Sequence, residues 1–70
     1  MKFKIGSLYK NLYTSKNNAF RVDEIVKQDK NGADMVVTWF TLTDDGKYIT
    51  MGIDGDYYIA KDKLFHYVEV

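Results

Sequence analysis

Apolar and polar residues alternate along this chain in short runs, and glycine rather than proline breaks the runs, since proline is absent. Asn31-Gly32, Asp45-Gly46 and Asp54-Gly55 are each the dipeptide that best tolerates the positive φ angles of a tight hairpin turn. Each lies between segments rich in β-branched and aromatic residues. Three such signals predict an antiparallel meander.

The strands are placed around these turns. From Ala19 to Gln28, Phe20 and Val22 share one face until Asp23 and Glu24 interrupt the alternation and Ile25 falls out of phase, which predicts a β-bulge. Met35 to Leu42 is apolar on both faces, Val36, Thr38, Phe40 and Leu42 against Met35, Val37, Trp39 and Thr41, the mark of a central strand. Tyr48 to Ile53 sets Ile49, Met51 and Ile53 against Tyr48, Thr50 and Gly52, and is expected to turn at Asp54-Gly55-Asp56 into a short strand from Tyr57 to Ala60. Ser7 to Thr14 supplies an opening strand, Ser15 to Asn18 a polar loop, Lys61 to Phe65 one helical turn, and His66 to Val70 a last strand. On this alternation the core is Phe20, Val36, Phe40, Leu42, Ile49 and Met51. No stretch holds an apolar helical face over three turns, so helix is limited to a turn or two. The expected fold class is all-β, a small barrel of about five antiparallel strands, closed or partly closed to protect its edges.

Length sharpens this picture. The 70 residues have room for one domain, residues 1–70, and a chain this short buries about 60% of its unfolded surface. Ordering it costs on the order of 100 kcal/mol at about 1.5 kcal/mol per residue, so nearly every large apolar side chain is needed for the core and little is left to line a deep pocket. A 46% hydrophobic and 16% aromatic content is rich enough for folding without a cofactor. The absence of cysteine excludes a disulfide framework, a thiolate nucleophile and a Cys-ligated zinc site, and fits a reducing compartment. With no signal-peptide core and no apolar run of membrane-spanning length, a soluble cytoplasmic protein is expected.

The charges cancel overall but are unevenly placed. Lys2, Lys4, Lys10, Lys16 and Arg21 all precede the first acid, Asp23, and the rest of the chain is acidic. Catalysis finds no support: the one histidine, His66, sits between Phe65 and Tyr67, and Ser7 and Ser15 lack a nucleophile motif. Asp44, Asp45, Asp54 and Asp56 lack calcium-loop spacing and read as turn residues that cap their own backbone. No enzyme activity, metal or cofactor is expected.

Two binding surfaces are candidates. The excess of aromatics over core needs points to a protein-binding site made from Trp39, Tyr48, Tyr57 and Tyr58, residue types enriched in hot spots. The alternative is a nucleic-acid site that combines Lys2, Lys4, Lys10, Lys16 and Arg21 with the stacking rings Tyr9 and Tyr13. An exposed first or last strand also allows a homodimer by edge pairing.

The run Gly6-Ser7-Leu8-Tyr9-Lys10, then Ala19 to Val22, Met35 to Phe40 and the closing Leu64 to Val70 resembles the layout of short SH3-like barrel proteins of bacteria and tailed phages. The resemblance covers most of the chain as a rhythm of strands and turns. With the Lys-, Asn- and Tyr-rich composition, it implies a phage accessory protein that binds and modulates a host protein in the host cytoplasm.

Overall fold

Five strands and one 3-10 turn follow each other in the computed structural model, which describes residues 2–14 and 17–70. They are β1 (Leu8–Asn11), β2 (Asn18–Asp29), β3 (Gly32–Leu42), β4 (Tyr48–Ala60), the 3-10 helix Lys61–His66 and β5 (Tyr67–Glu69). All neighbours are antiparallel in one sheet of order β4-β3-β2-β1-β5. The fold class is therefore all-β, and the strand order is compatible with the SH3-like arrangement. The 3-10 turn leads the chain from the end of β4 back to β1, and β4 and β5 form the two edges. Of the expected loop from Ser15 to Asn18, Ser15 and Lys16 lie outside the described residues.

Two of the three expected hairpin turns are present. Asp29 faces Gly32 across Lys30 and Asn31, and the Asp29 carboxylate accepts the Asn31 N–H at 2.8 Å. Gly32 has φ 149°, and a Cβ there would lie 2.5 Å from the Ile59 carbonyl oxygen, so the β3–β4 approach requires glycine. The second turn spans Thr43 to Lys47, where the Thr43 N–H donates to the Lys47 carbonyl at 2.7 Å. The expected bulge is also present: register shifts fall between Val22 and Glu24 and again between Ile25 and Lys27, leaving Asp23 and Val26 as the extra residues.

The third turn is a correction. Asp54-Gly55 does not reverse the chain: β4 runs on from Tyr48 to Ala60. β3 is long enough to pair with both segments, Leu42 to Phe40 with Tyr48 to Thr50 and Thr38 to Gly32 with Asp54 to Ala60. Between them Met51, Gly52 and Ile53 stand opposite Trp39 alone, and Gly52, at φ 72°, absorbs the irregularity.

The core also lies on the other face of β3 from the one expected. Buried residues are Phe3, Tyr9, Phe20, Val22, Ala33, Met35, Val37, Ile59 and Tyr67, with Ile25, Trp39, Tyr57 and Leu64 packed against them. Of the expected core only Phe20 is among them; Val36, Phe40 and Leu42 are half-buried, and Ile49 and Met51 are exposed. Alternation could not choose between two apolar faces, but pairing does. Phe20 stands opposite Trp39 and Val22 opposite Val37, and directly opposed residues share a face. The outer face is finished by Arg21, whose guanidinium lies 5.4 Å from the Phe40 ring centre. The inner face is closed by Phe3, held from both sides of its peptide: its N–H donates to Gln28 Oε1 at 2.6 Å and its carbonyl accepts from Gln28 Nε2 at 3.2 Å.

Candidate functional site

Each of the five strands contributes one aromatic ring to a single cluster: Tyr9 from β1, Phe20 from β2, Trp39 from β3, Tyr57 from β4 and Tyr67 from β5. The register explains the first three, because Tyr9 opposes Phe20 and Phe20 opposes Trp39, a row across three strands. Phe20 is the hub, with ring centres 5.8 Å from Tyr9, 5.3 Å from Trp39, 5.3 Å from Tyr57 and 5.8 Å from Tyr67. Trp39 and Tyr57 meet nearly perpendicular, at 80° and 5.2 Å. Edge-to-face rings do not fill space as stacked ones would, and a cavity of about 300 Å³ remains among them, completed by Lys10, Asn11, Thr14 and Asn18.

The cavity has an apolar floor and a polar rim. Inside, the Tyr57 and Tyr67 hydroxyls share a hydrogen bond of 2.6 Å. Burial, with the Tyr67 hydroxyl beside it, pushes the Tyr57 phenol above its ordinary range, so it keeps its proton at all physiological pH. Two phenolic protons serve one bond between them, which leaves one donor for an acceptor on an occupant. Among the described residues, Lys10 is the one ionisable group in the lining besides the tyrosines, and no carboxylate lines it. The volume is at the lower end for a small-molecule pocket and ample for one large side chain. Among the described residues no group of three or more His, Cys, Asp or Glu gathers in a way that holds a metal ion.

This cavity divides the expected protein-binding set. Trp39 and Tyr57 meet in it, but Tyr48 is half-buried opposite Leu42, and Tyr58, 61% exposed, donates its hydroxyl to the Asn31 carbonyl at 3.2 Å. The expected nucleic-acid set is also dispersed. Tyr9 is interior, and its hydroxyl oxygen accepts the Lys4 N–H at 2.8 Å. Lys4 pairs with Glu69 at 3.1 Å and Arg21 with Asp23 at 2.7 Å. The Thr38 hydroxyl above all holds the Asp23 carboxyl below its ordinary range; burial opposes it, and the neighbouring Arg21 adds to the lowering. Lys2 is exposed, Lys10 lines the cavity and Lys16 lies outside the described residues.

Tyr13 is exposed in a second aromatic group, 4.4 Å from the His66 ring and 6.1 Å from Phe65. It stands between the cavity-lining residues Asn11 and Thr14, next to Leu12, whose N–H donates to the His66 carbonyl at 2.7 Å. Sequence reasoning missed Phe65 and Tyr67, whose only signal was a run of rings at the last strand. Phe20 was placed in the core, and it proves to be both core and cavity floor. Compared with known proteins, the chain matches no family model, no curated protein and no solved structure.

Proposed function

We propose that this chain is a non-enzymatic binding module that takes an apolar side chain of a protein partner into the cavity ringed by Tyr9, Phe20, Trp39, Tyr57 and Tyr67. The carrying observation is that five strands each commit a ring to one place and still leave about 300 Å³ unfilled in a chain with little core to spare. Tyrosine and tryptophan offer large contact area at low entropy cost, and the Lys10, Asn11, Thr14 and Asn18 rim supplies polar contacts around the anchor. The nucleic-acid reading has less support, because two of its cations are already paired and Tyr9 is interior. The SH3-like layout and phage-like composition suggest a bacterial host protein as the partner to seek first.

Trp39→Ala is a poor test, since Trp39 also packs against the core. Asn18→Phe is better: Asn18 begins a strand at the cavity rim, and a ring there occupies the cavity from a position that tolerates rings. In affinity capture from bacterial lysate with nuclease present, the natural chain is expected to retain one protein that the folded Asn18→Phe variant loses. Equal retention by both, or retention that disappears with nuclease, contradicts the reading.

A further inference from the structure

The cavity selects its occupant by charge as well as by size. Lys10 lines it, half-buried, and makes no ion pair among the described residues, whereas Lys4, Arg21 and Lys27 hold carboxylates at 3.1, 2.7 and 3.7 Å. The acids of the surrounding elements do not neutralise it. None occurs from Met1 to Val22, the stretch that contains β1 and the start of β2. Glu69, opposite Tyr9 on β5, is taken by Lys4, and Lys10 itself stands opposite Val68. On β4, Asp54 opposes Thr38 and Asp56 opposes Val36, on the outer face of the sheet. Asp44 and Asp45 are exposed in the β3–β4 turn, which they share with Lys47 and which β2 separates from β1. Asp62, in the 3-10 turn before Tyr67, is flanked by Lys61 and Lys63.

The uncharged groups point the same way. The Tyr57 and Tyr67 hydroxyls have one proton to spare for an acceptor. The Asn11 side-chain oxygen already accepts the Tyr13 N–H at 2.8 Å, which leaves its NH2 group to donate. A rim of donors and one unpaired ammonium beside an apolar floor fits an apolar group that carries an anion. In an extended partner segment an acid next to the anchor points away from the cavity, and one two residues on is about 7 Å further along. A carboxylate and an apolar side chain share one Cα only at a chain end. Resting on the reading that the cavity receives an apolar side chain, we infer that the occupant is the C-terminal residue of the partner, its side chain inside the cavity and its free α-carboxylate on Lys10 at the rim.

The test compares the hexapeptide Gly-Gly-Gly-Gly-Gly-Phe as free acid and as amide, titrated against Trp39 emission. The free acid is expected to bind about fivefold more tightly or better at low ionic strength, with the ratio falling as salt is added. Lys10→Gln should bring the ratio to about one, whatever happens to the two affinities themselves. One further glycine after the phenylalanine should remove the preference. Equal binding of acid and amide overturns this inference and leaves the cavity reading standing, whereas binding by neither, or binding unchanged in Asn18→Phe, overturns both. An amidated peptide with glutamate beside the phenylalanine that matches the free acid overturns the chain-end assignment. So does 3-phenylpropanoate binding as tightly as the free-acid peptide, which would mark the site as one for a small carboxylic acid.

Discussion

The two ends of β4 contain the same residue type in opposite situations. Ile59 is 2% exposed and Ile53 is 55% exposed, although both are isoleucines on one strand paired to the same neighbour. Ile59 stands opposite Ala33, where Gly32 lets the two backbones close up and the inner face is sealed by Phe3 and Met35. Ile53 belongs to a three-residue bow that faces Trp39 alone and has nothing packed over it. Burial here is decided by what lies across the ladder and above the sheet. The end that is filled supplies stability, and the end that is not filled leaves its apolar side chains at the surface.

The comparison predicts unequal costs for equal substitutions. Ile59→Ala should lose about 3 kcal/mol from the removed methylenes and the cavity they leave, whereas Ile53→Ala should change stability by less than about 0.5 kcal/mol. Urea unfolding of both variants under monomeric conditions measures the difference, and similar midpoints would break the account. Gly32→Ala should cost about 2 kcal/mol, because its φ of 149° is unfavourable to a side chain and the Cβ meets the Ile59 carbonyl. Gly46→Ala, with nothing within 4 Å, should cost about half as much, from backbone strain alone.

The smallest expected effect is electrostatic. The folded Asp23 carboxyl titrates below its ordinary value of 3.8, so its contribution is fully present above that value and fades as pH falls through the lowered one. Asp23 is largely solvated, and its contribution is held to about 0.5 kcal/mol. Asp23→Asn should thus narrow its stability deficit only in that acid window, as followed by acid titration of the unfolding midpoint.

Much of the strand layout was legible because its signals are local. Asn31-Gly32 and Asp45-Gly46 mark real hairpins, and the Asp23-Glu24 pair marks a real bulge. Asp54-Gly55 misled because a dipeptide that permits a turn does not require one, and the 11-residue β3 offered pairing on both sides of it. The core face was not legible because β3 is apolar on both sides; the choice depends on Phe20 and Val22 meeting Trp39 and Val37 across strands 15 or more residues away in sequence. For the candidate site, Trp39 and Tyr57 were identifiable by residue type. Their meeting with Tyr9, Phe20 and Tyr67 was not, since it arises from the order β4-β3-β2-β1-β5, a non-local fact. Chain length leaves little core over to line a deep pocket, and the cavity is accordingly lined by core rings themselves: the same rings do both.

Trp39 is the single tryptophan of the chain and a wall of the cavity, so its emission reports on occupancy directly. The most direct test is a titration with N-acetyl-phenylalanine amide, a capped apolar side chain, excited where phenylalanine does not absorb. Saturable change in Trp39 emission at millimolar probe is expected from a ligand of this size, with the response lost in Asn18→Phe. A response that never saturates, or one unchanged in Asn18→Phe, would contradict the claim that this cavity receives an apolar side chain.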